Sequence, residues 1–411
     1  NEPPKEEEVD AATALFGAML TARRGESGRL CPGGFKVLVA GGLASAAFLL
    51  LTHHLARATP DVIGLDGRPA ELVFALPDAA REIFHGHAAE GLSALGLPGG
   101  RGLFVLALVT AAALSFAAPF HRAPAEVATE AEPSDAALAI GALSLAGGFV
   151  LRRFGVLLSP DAARWGAPAM AAIGALTIAG AVARAAIDAD LRGLVGALPS
   201  ATGGVLWLSA SSLTRQGIQG AIALALAKPV AATLLILCAG ALVERTQSPE
   251  LGDYRGVARS APRLSVALLV AAMASAAAPG GAGFWGAWLG LVGAVGRAPA
   301  VAFGLALALA LAAAAHARLW RLFGGQPSRS WERNPALEPF GGRLPDLRGG
   351  RERAWAFVLV ATLALLTLAP RSWLSVTNHV VLDVLPILDP PGPTQVASRS
   401  LELTGSATLP G

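Results

Sequence analysis

Few charged residues of this chain fall inside apolar runs, and those few are where its chemistry would have to happen. The sequence has three lysines, Lys5, Lys36 and Lys228. Lys228 stands in the middle of an apolar run, residues 218–242, and is followed at once by Pro229. A charge at the centre of a membrane helix costs roughly 2.5–3.5 kcal/mol on insertion scales, so it calls for a purpose. The proline frees a carbonyl one turn earlier, which the ammonium or water could bind. An ion path through Lys228 and a purely structural lysine are the two readings. Lys36 begins its run, where its stem can lie along apolar surface and its head reach water. Glu8 and Asp10 open a short run and read as a solvated helix end, with Glu8 a second candidate for a proton path. His53, His54 and His316 lie near the ends of their runs, and His121 follows Pro119-Phe120 just past another. Glu126, Glu130, Glu132 and Asp135 read as an acidic, solvated loop.

Other chemistry finds little support. No GxGxxG, P-loop, HExxH or Ser/His/Asp arrangement occurs in a usable context. Cys31 and Cys238 are too far apart for a CxxC site, and no haem, flavin or iron–sulfur ligand set is visible. The chain is therefore expected to bind no cofactor or metal of its own, and an acidic, polar start, Asn1–Glu8, gives no signal-peptide pattern.

The elements that must position these residues follow from composition. Of 411 residues, 54% are hydrophobic and 15% charged, well below the roughly 25% charged residues of soluble domains. The apolar residues come in blocks, which disfavours a soluble enzyme, a nucleic-acid binder or a disordered chain. The expected fold is an all-α polytopic membrane protein. A span needs about 20 apolar residues, and ten candidates occur: 9–22, 37–55, 103–118, 136–151, 167–186, 193–211, 218–242, 264–296, 300–321 and 354–370. The first is short. The eighth is too long for one straight helix and is interrupted by Ala278-Pro279-Gly280-Gly281, so it reads as a discontinuous helix. Residues 59–100 and 324–352 read as polar loops, the first with a short surface helix, and the tail from 377 as extended or disordered. The chain thus divides into a transmembrane core (1–323), a polar loop with the last span (324–376) and a tail (377–411).

Lysine and arginine concentrate in the loops after odd-numbered spans, above all between Arg318 and Arg353. The positive-inside rule puts those loops in the cytoplasm and both chain ends outside. The net charge of +3 needs no nucleic-acid partner, since loop arginines face lipid headgroups. Trp165, Trp320, Trp355 and Trp373 flank spans as interfacial anchors.

Several strings, in order, resemble one family: the antiporter-like, proton-translocating membrane subunits (L, M and N) of respiratory NADH:quinone oxidoreductase, and their relatives in sodium/proton antiporters and membrane hydrogenases. Phe35-Lys-Val-Leu-Val-Ala-Gly-Gly42 is similar to the family's sixth helix, and Pro119-Phe-His121 to its break in helix 7. Gly217-Ile-Gln-Gly-Ala221 and Glu244-Arg-Thr246 resemble subunit M on either side of helix 11; Ala278 to Gly286 resembles the break in helix 12. The resemblance covers about Glu8 to Phe323 and makes the ten spans helices 5–14 of a fourteen-helix subunit. It implies two inverted five-helix repeats with discontinuous helices 7 and 12, other membrane subunits as partners, a bacterial inner (cell) membrane, and proton translocation coupled to quinone reduction by the whole complex. Redox chemistry would belong to that complex and not to this subunit.

The family's charged stations transfer poorly. Its helix 7 lysine falls on Leu114, its helix 8 lysine on Leu145, and the charged residue after the helix 12 break on Ala287. The helix 11 station keeps a titratable group, Lys228, and the helix 5 glutamate could be Glu8. A relay needs titratable groups close enough for water to bridge, which leucine and alanine are not. The resemblance therefore carries an ion-translocating reading and, beside it, that of a pump-inactive relative packing neighbouring subunits or of an antiporter subunit.

Overall fold

A computed structural model describes residues 32–58, 97, 100–157, 160–321, 326, 328, 330–331 and 334–375. The short first span with Glu8, most of the 59–100 segment and the tail lie outside them. The described residues fold into α-helices: α1 Pro32–Ala58, α2 Arg101–Leu114, α3 Ala123–Glu130, α4 Pro133–Val150, α5 Pro160–Ile187, α6 Leu191–Ser211, α7 Arg215–Thr246, α8 Pro262–Ser275, α9 Gly283–Val295, α10 Pro299–Trp320 and α11 Gly349–Leu368. Six of these elements contain stretches long and apolar enough to cross a bilayer: Gly33–Thr52, Pro133–Val156, Pro160–Ile187, Leu191–Ser211, Arg215–Thr246 and Pro299–Trp320. The 14 residues each of α2 and α8 and the 13 of α9 rise only about 20 Å, short of a bilayer core of about 30 Å. They are half-helices. The eighth expected span is indeed split, into α8 and α9, and the third ends at Leu114 before a turn that leads into α3.

Helix α6 is the central post. It is buried along its whole length, against α5, α7, α3 and α10. Its small residues allow this: a Cβ on Gly204 would lie 2.6 Å from Gly174 O of α5, and one on Gly196 2.6 Å from Pro124 O of α3. Local sequence sets its start. Asp190 accepts hydrogen bonds from the Arg192 and Gly193 amides at 2.7 and 3.3 Å, and Thr214 caps α7 in the same way through Gly217 N at 3.0 Å.

Polar contacts gather the loops on two sides. On one, Asp190 pairs with Glu250 in a short antiparallel bridge, and Arg192 donates to Ala131 O. There too Arg245 bonds Glu352 at 2.6 Å and Pro345 O at 2.8 Å, Asn334 donates to Thr246 O, and Asp346 caps α8 through Arg263 N and Leu264 N. Every one of these loops follows an odd-numbered span. Gly293 meets Thr214 on the other side. The alternation required by the charge pattern is thus built into the packing.

The acidic segment after Pro119 departs from expectation. Glu126 and Glu130 lie on helix α3 and not in a solvated loop. Glu126 Oε1 pairs with Lys36 Nζ at 2.5 Å, and Glu130 accepts from Gly33 N at 2.7 Å. Lys36 is thus tied to α3 while its side chain stays 47% exposed, as a lysine at the start of a span can be. Pro124 sits in the first turn of α3, where proline starts a helix without losing a hydrogen bond.

Candidate functional site: the two helix breaks and Lys228

The half-helices α2 and α8 end alike. Each carries a residue in the left-handed region, Phe116 (φ 54) and Ala277 (φ 52). Each closes with the six-residue hydrogen bond of a Schellman motif, Ala117 N to Ala112 O at 2.9 Å and Ala278 N to Met273 O at 3.0 Å. Left-handed backbone at a residue with a side chain costs about 1–2 kcal/mol, so both turns are held by what surrounds them. The matched length and matched ending are what a repeated unit would produce.

The ends of the two half-helices are satisfied differently. Lys228 of α7 is 3% exposed, and its Nζ donates to Ser115 O at 2.6 Å, on the residue that ends α2. The ammonium thus sits at the negative end of a half-helix dipole, where a cation is favoured. It reaches across to another helix and not to the carbonyl freed by Pro229 on its own; Pro229 lies inside the continuous α7. Around it, Trp207 Nε1 donates to Ser115 Oγ at 3.1 Å, Ala118 N donates to Thr177 Oγ1 at 2.7 Å, and a Cβ on Gly203 would lie 2.9 Å from Lys228 Nζ. At the second break, the hydroxyl of Thr202 donates to Ser275 O at 2.5 Å. Neutral hydroxyl and buried cation do the same backbone task in the two halves.

Lys228 forms no ion pair among the described residues. Glu8, its expected acidic companion, lies outside them. A cavity of about 10 Å³ beside Gly148, Arg152 and Ile222 does not reach Lys228, nor does a larger one near Arg318. The positions named as lost stations separate. Leu114 packs against the core at the end of α2, and Ala287 is 2% exposed in α9. Leu145 is 47% exposed and does not line the interior; the inward residue on that turn is Ser144, 2% exposed, whose hydroxyl has no partner among the described residues. Residues one apart on a helix face about 100° apart, so a shift of one position changes the face.

The remaining break residues lie at the surface of the chain or just under it. Pro119, Pro279 and Gly280 (φ 85) are exposed at the turns, and the half-buried ring of His121 abuts Gly180. His316 lies one turn before the end of α10, where it is fully buried, and its Nδ1 lies 2.7 Å from Ala312 O. Thr202, Ser275, Trp207 and Thr177 escaped the sequence reading: uncharged hydroxyls and one indole in Ala- and Gly-rich helices carry no pattern that sets them apart.

Residues 82–312, more than half of the chain, match the NADH:quinone oxidoreductase/Mrp antiporter transmembrane family. The chain belongs to this family. Over 248 residues it is 33% identical to NADH-quinone oxidoreductase subunit 13 of Thermus thermophilus, covering 60% of this chain and 48% of that protein. Its fold matches a chain of respiratory complex I from Thermus thermophilus with a TM-score of 0.72 at 23% identity, covering 92% of this chain and 73% of that one. It also matches a chain of the Mrp complex from Dietzia sp., with a TM-score of 0.65 at 18% identity, covering 93% and 73%. These two likenesses concern the fold. The chain spans about half the length of the relatives it matches in sequence. Within this family, a multi-pass helical membrane protein with discontinuous helices is what the described residues form.

Proposed function

We propose that the chain serves as an antiporter-like membrane-arm subunit of an NADH:quinone oxidoreductase of the complex I type, and that Lys228 is its proton-binding station. The family match and the named relative, subunit 13, support the subunit assignment. The observation that carries the role of Lys228 is its place: a buried ammonium at the carbonyl end of a broken helix, between α2, α6 and α7. A lysine held by one neutral carbonyl can give up its proton without leaving a buried charge behind, whereas a lysine locked by a carboxylate would strand one. Its partners are then the neighbouring membrane subunits and the lipid of a bacterial cell membrane. In this reading NADH oxidation and quinone reduction fall to other subunits. The test is proton translocation per NADH oxidised by the assembled complex in liposomes. Lys228→Ala should lower it with electron transfer retained; an unchanged ratio would refute the role of Lys228.

A second reading, the pump-inactive scaffold, draws on the packed apolar Leu114 and Ala287 and on the absence of an ion pair to Lys228 among the described residues. In that reading Lys228 only caps α2. Ser144→Lys would place a new ammonium on the inward face of α4; new proton uptake by that variant would count against a mute scaffold.

A further inference from the structure

On the side that carries Arg245 and Glu352, the loops after α5 and α7 meet the end of α10 around an open cavity of about 510 Å³. Three guanidinium groups line it, from Arg255, Arg318 and Arg321, against one carboxylate, Glu250. Three positive charges less one negative leave a net +2 on the lining. None of the three arginines forms an ion pair among the described residues.

One member of the cluster is held in place, and the loops that carry the rest are pinned. Arg318 donates through Nη1 to Ala185 O, which fixes its guanidinium at the mouth of α5. The loops below are pinned by Leu191 N to Pro249 O at 2.9 Å and Leu251 N to Ala189 O at 2.8 Å. Like charges gathered round a cavity repel one another, and an anion placed among them removes that cost. Guanidinium is also the group that matches phosphate oxygens with paired donors.

The position in the bilayer narrows the anion. The cavity lies where α5 and α10, packed side by side, both end. Close along the chain to the lining residues Ala189 and Arg321, Ile187 is 79% exposed and Trp320 42% exposed, apolar and aromatic side chains of the kind that sit where a span meets the headgroups. A volume of about 300–1,000 Å³ suits a small ligand or a headgroup. We propose that this cavity binds a phosphate ester, presented by an anionic phospholipid whose acyl chains lie along α5 and α10. Basic pockets between helix ends are built for such headgroups.

The full chain in detergent, titrated with phosphatidylglycerol, phosphatidylcholine, glycerol 3-phosphate or inorganic phosphate, tests this through its thermal midpoint and through bound lipid counted by native mass spectrometry. Phosphatidylglycerol should bind saturably and raise the midpoint, and phosphatidylcholine should not. Arg255→Gln with Arg321→Gln should weaken binding about 25-fold, at roughly a fivefold effect for each arginine near the surface, while the double lysine variant retains most of it. Glu250→Gln removes the opposing charge and should tighten binding, a gain that misfolding could not mimic. Equal binding of both lipids, or no response to Glu250→Gln and the glutamine pair, would overturn the site. Stabilisation by glycerol 3-phosphate or inorganic phosphate with no further gain from phosphatidylglycerol would overturn the lipid as its source. Loss of lipid binding only when a neighbouring subunit is present would overturn it too, in favour of an acidic protein segment.

Discussion

The two broken helices of this chain share a backbone and differ in what completes it. Half-helices α2 and α8 have the same length, a left-handed residue at the same place, two positions past the last helical one, and the same six-residue closure. Yet the end of α2 is met by an ammonium and the end of α8 by a hydroxyl. A neutral cap is the cheaper answer to a free carbonyl, because it carries no charge into the bilayer. Where a protein keeps the costlier one in only one half, stability is a poor explanation for it, and a group that can gain and lose a proton is a good one. The surroundings differ in the same sense. At the first break Trp207 and Thr177 supply further polar contacts, so Ser115 and Ala118 are engaged from α6, α7 and α5. The second break closes mainly on itself, through Gly281 N to Ala278 O at 2.8 Å and Phe284 N to Gly281 O at 3.0 Å.

That contrast can be broken at four places, from the largest effect to the smallest. Gly147→Ala strikes at the first break itself: the new methyl would lie 2.7 Å from Ser115 Cα and 2.8 Å from Leu114 C, both backbone atoms that cannot step aside. A loss of about 3 kcal/mol is expected, at the upper end of overpacking costs, read as a lower thermal midpoint of the full chain in detergent. Gly203→Ala presses instead on the flexible end of Lys228, 2.9 Å from Nζ. Its expected cost is about 1 kcal/mol, with a fall in proton translocation out of proportion to it; a stability loss with translocation intact would separate Lys228 from function. Thr202→Val removes the hydroxyl at the second break and leaves Ser275 O without its donor, for about 1–2 kcal/mol, and translocation should be untouched. Ser275→Ala loses only a 3.5 Å approach to Thr202 and should stay within about 0.5 kcal/mol of the parent. If Thr202→Val and Lys228→Ala impair translocation alike, the two breaks are equivalent and the comparison fails.

What the sequence reveals about this arrangement depends on how local the signal is. The second break is plain in Pro279-Gly280-Gly281, because a proline followed by two glycines interrupts the helical hydrogen-bond ladder and frees the backbone to turn. Helix α3 is hidden, since Pro124 lies in a first turn and its glutamates resemble loop residues until Lys36 and Gly33 are seen opposite them. The spans themselves follow from apolar length, and Lys228 from the cost of its charge. Facing does not follow. Helix α4 is apolar all round, so nothing in it distinguishes Leu145, which faces out, from Ser144, which faces in. The partner of Lys228 is equally hidden: Ser115 is 113 residues away, and only packing brings its carbonyl to the ammonium.

The small number of lysines makes the central claim directly measurable. Lysine labelled with ¹⁵N at the side-chain nitrogen gives at most three Nζ signals, from Lys5, Lys36 and Lys228. A buried ammonium bonded to Ser115 O should appear as one signal whose protons exchange slowly with water. That signal should vanish in Lys228→Met, move in Gly203→Ala and stay in place in Thr202→Val. Fast exchange at every lysine, or a slow signal indifferent to Gly203→Ala, would contradict the charge-completed break.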